Sequence, residues 1–214
     1  MYARYVKRVL DFIQSLLALV VLSPLMLVLT VVGVIQMKGN PFFLQKRPGR
    51  INPETGKERI FSLIKFRTMT NQTDASGNLL PDELRLTGYG RFLRMTSLDE
   101  LPELLNILLG QMSFVGPRPL LVKYLSRYSE EQRRRQLVTP GLTGWAQIHG
   151  RNSISWEDKF SYDCWYIDHI SFRLDAKIIL ITVMTVLRRK GITSDTSQTM
   201  EEFLGSKEEL AYHE

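Results

Sequence analysis

The sequence contains few of the residues that form disulfides and transition-metal sites. Its single cysteine, Cys164, excludes an internal disulfide, and its aromatic neighbours predict a small, buried side chain. The three histidines are scattered, and neither a CxxC nor an HExxH pattern occurs, which argues against a zinc site. An internal repeat is also missing, as is a linker that would divide the soluble part. One soluble domain in a reducing compartment fits these absences.

The charge balance is basic. The 214 residues carry a formal net charge of +6, and such an excess suits nucleic acid, anionic lipid or a phosphorylated substrate. A long apolar segment in the same chain favours lipid, so no nucleic-acid partner is predicted. The length suffices for one ordinary domain plus a membrane element. For the more distant lysines and arginines, a simpler interpretation is that they only aid solubility.

The apolar segment runs from Phe12 to Ile35 and is interrupted by Ser23 and Pro24. As a straight helix, residues 12–35 would extend roughly 36 Å, which is enough to cross a bilayer core of about 30 Å. This length argues against a cleavable signal peptide. Pro24 lacks a backbone donor and is expected to break the helix. The Ser23 hydroxyl could then satisfy the carbonyl that the break frees.

Basic residues flank this segment on both sides, namely Arg4, Lys7 and Arg8 before it and Lys38, Lys46, Arg47 and Arg50 after it. By the positive-inside rule, each flank lies on the cytoplasmic side of the membrane. The pattern therefore favours a re-entrant element, helix–break–helix, that enters one leaflet and returns. A kinked spanning helix is almost equally compatible with the residues, because transmembrane helices tolerate proline.

The remaining chain predicts a mainly α fold with a small β-hairpin. Strands are expected over 42–45, 59–68 and 145–148, the first two joined by a turn over 50–57. Helices are expected over 98–109, 120–137, 156–167 and 173–189. Loops are expected over 71–82 and 139–144. The last helix is a core or interfacial helix, and lipid phosphates could bind at its end, to Arg188, Arg189 and Lys190.

These elements predict one compact cytosolic domain with interfacial helices, joined to the membrane element. The expected division is a membrane-embedded segment over 1–38, a catalytic domain over 39–191 and a polar tail over 192–214. The tail is acidic from residue 193 onward and is predicted to be mobile.

Two adjacent carboxylates, Asp99 and Glu100, follow Ser97 at the expected start of a helix. Ser97 and Glu100 fit a capping box, and a helix start keeps a carboxylate ionised and attracts phosphate. An ionised aspartate can attack phosphorus to form an acyl phosphate. Its neighbour can bind a divalent cation such as Mg²⁺ or accept a proton. The alternative is ordinary helix-start chemistry without catalysis.

A second candidate group is basic. Arg118 lies between Pro117 and Pro119, which restrict the backbone and could present its guanidinium to a phosphate. Lys65 and Arg67 alternate around an inward-facing Phe66 at a strand end, which is a weaker signal. Both patterns also fit plain structural roles, a surface turn and a solvated strand face.

Taken together in order, these motifs resemble one family, the bacterial sugar transferases or monotopic phosphoglycosyl transferases. The similarity extends from about Lys7 to Gly191. It rests on Lys7-Arg8 with Asp11, Ser23-Pro24, residues 65–69, residues 97–106, residues 110–119, residues 140–145, and Tyr162-Asp163 with Tyr166. Each motif alone is weak, but the whole series is specific.

The resemblance implies a function. Asp99 would attack the β-phosphate of a UDP-sugar, and polyprenol phosphate would then accept the phosphosugar. Glu100 would assist through the metal or the acceptor, Arg118 would contact phosphate or nucleotide, and Arg94 and Lys65 would help. Mg²⁺ is the implied cofactor, and the implied location is the inner leaflet of the bacterial cytoplasmic membrane, with the catalytic domain in the cytosol. Downstream glycosyltransferases are further partners that such a role allows.

Two other classes remain open from the residues. A non-catalytic scaffold would use its basic face to bind anionic lipid, and a membrane phosphatase would use an aspartyl phosphate without a lipid acceptor. The sequence does not identify the sugar or the glycan pathway.

Overall fold

The computed structural model describes residues 2–150, 153–187 and 202–205. One π-helical turn, Tyr2–Val6, precedes the first α-helix. The α-helices are α1 (Lys7–Met37), α2 (Asp82–Arg85), α3 (Gly88–Thr96), α4 (Glu103–Leu108), α5 (Glu130–Arg133), α6 (Trp145–Ile148), α7 (Trp156–Asp168) and α8 (Phe172–Leu187). The strands are β1 (Phe42–Ile51), β2 (Glu58–Phe66), β3 (Ser113–Val115) and β4 (Gly141–Thr143). Three 3₁₀ turns cover Leu98–Glu100, Val122–Arg127 and Arg134–Leu137.

The first helix is long, apolar and continuous. Within the described residues, α1 is the one helix with the length and composition to cross a membrane. It passes through Pro24 without interruption, so the predicted break is wrong. The reason is local: Pro24 cannot donate to the carbonyl of Val20, four residues earlier, and the Ser23 hydroxyl donates to that carbonyl at 2.8 Å. The predicted role of Ser23 is thereby confirmed.

Both ends of α1 are tied to the rest of the molecule. Near its start, the Arg8 guanidinium donates to the carbonyls of Ile107 and Leu108, each at 2.7 Å. Further along, the Tyr89 hydroxyl donates to the carbonyl of Leu29 at 2.7 Å. These contacts are separated by about 30 Å of helix. The helix therefore lies along the other elements instead of projecting away from them.

One face of α1 packs and the opposite face is bare. Ala18, Leu19 and Leu22 pack against a buried cluster formed by Phe61, Leu63, Leu104, Ile107 and Met112. On the other side, Val20 and Val21 are 65% and 74% exposed. An uncovered aliphatic stripe of this length suits contact with lipid.

The predicted hairpin is confirmed. Strands β1 and β2 pair antiparallel, with Phe42 opposite Phe66 and Ile51 opposite Glu58, and β1 continues well beyond the predicted residue 45. Phe66 is buried with Leu29 of α1 and Leu93 of α3. The hairpin thus connects the apolar helix to the elements that follow.

Three local predictions are wrong. Residues 120–137 do not form one helix: a 3₁₀ turn comes first, and Ser129 then begins the short helix α5 with a capping box to Gln132. Residues 145–148 are helical and not a strand. The predicted loop over 139–144 contains β4, which pairs in parallel with β3. The predictions for α7 and α8 are confirmed, although residues 188–190, the proposed lipid contacts, lie outside the described residues.

The described part of the tail is docked, which differs from the predicted mobility. Phe203 is buried among Tyr124, Tyr128 and Phe160, and the carbonyl of Phe203 accepts a hydrogen bond from Arg127. Cys164 is buried, as predicted.

Candidate active site

Asp99 and Glu100 lie on a 3₁₀ turn between α3 and α4. The predicted capping box is wrong, because Ser97 adopts the left-handed conformation (φ 56°) that ends α3 and its side chain makes no capping hydrogen bond. The predicted helix over 98–109 therefore begins only at Glu103. Leu98 and Leu101, on either side of the pair, pack against the cluster that contains Leu29 of α1.

Glu100 is the centre of an ion-pair network. Its Oε1 atom accepts from the Lys65 ammonium at 2.7 Å and forms a very short contact with the Arg118 guanidinium. Three predicted site residues, from β2, the 3₁₀ turn and the Pro117–Pro119 segment, are thus brought together. Burial alone would raise the pKa of Glu100, but the charges of Arg118 and Lys65 outweigh it and lower that pKa far below its usual range. Glu100 is therefore an ionised anchor for the two cations.

Asp99 differs from its neighbour because its carboxylate is free. It is half-buried and makes no hydrogen bond or ion pair with any residue in the described ranges. Burial, together with the nearby charge of Glu100, raises its pKa to about 6. Lys65, Arg118 and Arg94 partly oppose this shift. At neutral pH the group is an ionised, uncommitted carboxylate surrounded by cations, which is the state that a nucleophile requires.

Glu103 is a site residue that the sequence analysis did not include. Its side chain is 1% exposed, and its Oε1 lies 3.2 Å from the Lys65 ammonium, near enough for an ion pair. The alignment is poor, so that oxygen has no hydrogen-bond partner. Burial and the charge of Glu100 raise the pKa of Glu103 to about 7. The sequence could have indicated this residue, because Glu103 follows Glu100 by three positions and residues at that spacing share one face of a helical turn.

Hydrogen bonds from other parts of the chain hold the Pro117–Pro119 segment in place. All three of its carbonyls accept hydrogen bonds: Pro117 from the Gly141 amide at 3.0 Å, Arg118 from Arg135 at 2.7 Å and Pro119 from Arg47 at 3.1 Å. The Arg118 side chain is still 39% exposed. It can therefore contact both Glu100 and a ligand.

The other predicted basic residues are placed less centrally. Arg94 donates to the Thr68 hydroxyl at 3.1 Å, and its charge helps to lower the pKa of Asp99. Gly90 allows α3 to approach the backbone at Thr68 closely, because a Cβ at position 90 would lie 1.9 Å from the Thr68 carbonyl oxygen. Phe66 is buried, as expected. The Arg67 side chain makes no hydrogen bond or ion pair with Asp99 or Glu100 in the described structure.

The side chains of the site decide whether it can hold the predicted Mg²⁺ ion. Within residues 2–150, 153–187 and 202–205 there is no cluster of three or more metal-binding side chains, so these residues do not form a complete protein cage. Mg²⁺ is, however, commonly held by one or two carboxylates together with substrate phosphates. The free carboxylate of Asp99 fits that arrangement. Glu100 fits less well, because one of its oxygens already serves two cations.

The site has the composition of a phosphate-transfer centre, with a free carboxylate among cations beside a long apolar helix. Comparison with known proteins agrees. The family model of the bacterial sugar transferases matches residues 2–189, and the chain belongs to this family. The family and the class of enzyme predicted from the sequence are confirmed.

Curated relatives differ in how much of their length the chain covers. It is 52% identical over 202 residues to the uncharacterised sugar transferase EpsL of Bacillus subtilis strain 168, covering 94% of this chain and 96% of EpsL. It is 34% identical to the undecaprenyl-phosphate galactose phosphotransferase of Salmonella typhimurium strain LT2, covering 88% of this chain and 42% of that protein. It is 37% identical to the UDP-glucose:undecaprenyl-phosphate glucose-1-phosphate transferase of Xanthomonas campestris pv. campestris, covering 86% and 39%. The chain thus spans less than half the length of the two relatives whose substrates are named.

Proposed function

We propose that the protein transfers a phosphosugar from a UDP-sugar to undecaprenyl phosphate, giving an undecaprenyl-diphosphate-sugar and UMP. The observation that carries this proposal is the pairing of a free Asp99 carboxylate with a Glu100 that is already bound to Lys65 and Arg118. Relatives named for galactose and glucose transfer support the substrate class. Because those names differ in their sugar, they leave the sugar of this chain open.

In the first step, a carboxylate oxygen of Asp99 attacks the β-phosphorus of the donor. A new O–P bond forms, and the bond from that phosphorus to the bridging oxygen breaks. UMP leaves with the electron pair of the broken bond, and the phosphosugar stays on Asp99 as an acyl phosphate. No proton is transferred, because Asp99 is ionised above pH 6 and the leaving group is a phosphate.

In the second step, a phosphate oxygen of undecaprenyl phosphate attacks the same phosphorus. The acyl-phosphate bond breaks, and the electron pair returns to Asp99 as a carboxylate. The protein is then unchanged, and the lipid carries a diphosphate-linked sugar. Two separate displacements allow the water-soluble nucleotide to leave before the bulky lipid reacts.

The cations supply the electrostatic part of this mechanism. Arg118 is held by Glu100 and is partly exposed, so its guanidinium can bind phosphate oxygens in a bidentate manner. Lys65 adds a second positive charge on the same side of Glu100. Both charges favour the transition state, in which negative charge accumulates on the transferred phosphoryl group and on the leaving UMP.

Mg²⁺ completes the proposed site. Asp99, with Glu100 as a weaker contributor, would hold it jointly with the donor phosphates. When bound, the ion would neutralise charge on the donor diphosphate.

We also propose that α1 lies within one leaflet, on the cytosolic side of the inner membrane, without crossing it. Its contacts with the rest of the molecule extend from Arg8 to Leu29. A helix that crossed the bilayer along its normal would carry one of these ends, and the polar groups bound there, through the hydrocarbon core. The basic residues on both flanks support the same side for both ends.

The decisive experiment compares Asp99→Asn with the wild-type protein. The purified protein is incubated with a panel of UDP-sugars, Mg²⁺ and undecaprenyl phosphate, and UMP is measured. Asp99→Asn should abolish UMP release, whereas Asp168→Asn, at an exposed carboxylate bound to Arg134, should not change it. With donor alone, intact-protein mass spectrometry should detect one phosphosugar, localised to Asp99. Undiminished UMP release from Asp99→Asn would rule out this nucleophile, and release of free phosphate without lipid would indicate a phosphatase.

A further inference from the structure

The Arg118 segment is fixed by donors from three distant parts of the chain. One is the backbone amide of Gly141, and the other two are the side chains of Arg47 and Arg135. Arg47 comes from β1, and Arg135 comes from the 3₁₀ turn after α5. Neither arginine makes a hydrogen bond or ion pair with Asp99 or Glu100 in the described structure, and their hydrogen bonds to this part of the molecule go to the Pro117–Pro119 segment.

Arg135 is a buried residue, and each of the three nitrogens of its guanidinium donates a hydrogen bond. It is 2% exposed, and it donates to Asp163 through Nη2 at 2.7 Å and through Nε at 3.1 Å. Its Nη1 reaches the Tyr128 hydroxyl at 3.3 Å, and Nη2 also donates to the Arg118 carbonyl. A buried ion pair contributes little net stability compared with apolar residues of the same volume. The ion pair with Asp163 is therefore more informative for its geometry, because it fixes Arg135 as a hydrogen-bond donor to the Arg118 carbonyl.

Arg47 is placed at an electrostatic cost. It donates to the Pro119 carbonyl and to the Gln45 side chain, its Nε is buried without a hydrogen-bond partner, and it forms no ion pair with a described acidic residue. Burial and the neighbouring charge of Arg118 lower the pKa of Arg47 to about 10. The charges of Arg47 and Arg118 repel each other. The position of Arg47 is therefore not explained by ion pairing, and its contact with the functional segment is the hydrogen bond to the Pro119 carbonyl.

We propose that Arg47 and Arg135, the latter anchored by Asp163, are positioning residues that clamp the Pro117–Pro119 segment at the carbonyls of Pro119 and Arg118 and so fix the Arg118 guanidinium against Glu100 for phosphate binding. This inference rests on the proposed function, because Arg118 is assigned there to the donor phosphates. A displacement of about 1 Å in such a group can cost up to about 100-fold in rate.

The test uses Arg135→Lys and Arg47→Lys, each made in the wild-type and in the Arg118→Ala background. Lysine keeps the charge but has one ammonium group, which cannot serve the carbonyl and the second partner in the same geometry. Arg134→Lys is the matched control, because Arg134 is the adjacent arginine and forms surface ion pairs with Glu131 and Asp168. UMP release gives kcat/KM for the donor, and thermal melting shows that each variant is folded.

A clamp that acts through Arg118 predicts about a 10-fold lower kcat/KM for either variant. It also predicts no further loss when Arg118 is already alanine, and no change for the control. An equal loss in both backgrounds would show a general structural role and overturn the proposal, as would full activity of both variants. Arg47→Lys remains informative if Arg135→Lys does not fold.

Hydrogen exchange separates this inference from the proposed function. The Gly141 amide donates to the Pro117 carbonyl, so its exchange should become faster in Arg135→Lys and Arg47→Lys if the clamp loosens. This measurement requires no substrate. If the wild-type protein released no UMP from any donor, the proposed function would fail, and unchanged exchange at Gly141 would separately refute the clamp.

Discussion

The formation of the Asp99 adduct should depend on pH with an acid limb near pH 6. Burial, and after it the charge of Glu100, raises the pKa of Asp99 to about 6, and only the ionised form can attack phosphorus. With that pKa, about nine-tenths of the protein carries the reactive carboxylate at pH 7 and about one-tenth at pH 5. UMP release from donor alone should therefore fall about 10-fold between pH 7 and pH 5, which corresponds to about 1.4 kcal/mol.

Two substitutions should move this limb in opposite directions. The charge of Glu100 raises the pKa of Asp99, whereas the charge of Arg94 lowers it. Glu100→Gln should therefore shift the limb to lower pH, even though the maximal rate falls with the loss of the anchor for Lys65 and Arg118. Arg94→Gln should shift the limb to higher pH. Arg91→Gln, an exposed arginine on the same helix α3, is the matched control and should leave it in place.

The assay is a rapid-quench measurement of UMP formed per protein in the absence of lipid acceptor, at saturating donor from pH 5 to pH 8. Stability at each pH is checked by recovery of activity after return to pH 7.5. A burst rate that stays constant over this range would refute the assignment of Asp99 as a carboxylate with a raised pKa. Shifts of the same sign in Glu100→Gln and Arg94→Gln would refute the electrostatic explanation.

Three further predictions concern stability and membrane binding. Glu103→Gln should raise Tm by about 3 °C at pH 8 and by less at pH 5. The pKa of the Glu103 carboxyl is raised to about 7, so this group destabilises the fold only when the pH is above the ordinary pKa of a glutamate. Equal gains in Tm at both pH values would contradict this. Phe203→Ala should lower the free energy of unfolding by about 3 kcal/mol, measured by denaturant titration, and an unchanged midpoint would mean that the docked tail adds no stability. Val21→Lys should reduce the membrane-bound fraction in flotation assays, since a lysine in hydrocarbon costs about 3 kcal/mol, whereas Ser76→Lys in an exposed loop should not.

Local sequence chemistry predicted the parts of the fold that depend on neighbouring residues. The hairpin follows from two apolar runs around a turn, and the hydrogen bond from Ser23 follows from the missing donor of Pro24. The restricted backbone freedom at Arg118 follows from its two flanking prolines. In each of these cases the local sequence favours one backbone conformation, and contacts with distant residues agree with that conformation.

Several of the other wrong predictions concern residues that make contacts with distant parts of the chain. Ser97 has the type of a helix cap, but it precedes a turn whose Glu100 binds Lys65 of β2 and Arg118. The strands β3 and β4 have three residues each, too few to show any periodicity. Arg135 is the last of three consecutive arginines, yet it is buried against Asp163, which lies 28 positions further along the chain.

The docking of α1 at both ends has a consequence for how the enzyme meets its lipid. A catalytic unit on a flexible stalk would sample many heights above the bilayer, whereas here Leu98 and Leu101 connect the Asp99 turn to the cluster that holds Leu29. The depth of Asp99, the proposed nucleophile, is therefore set by the depth of the helix. An acceptor phosphate that diffuses laterally at the level of the headgroups would encounter Asp99 by a search in two dimensions, with no vertical excursion of either partner.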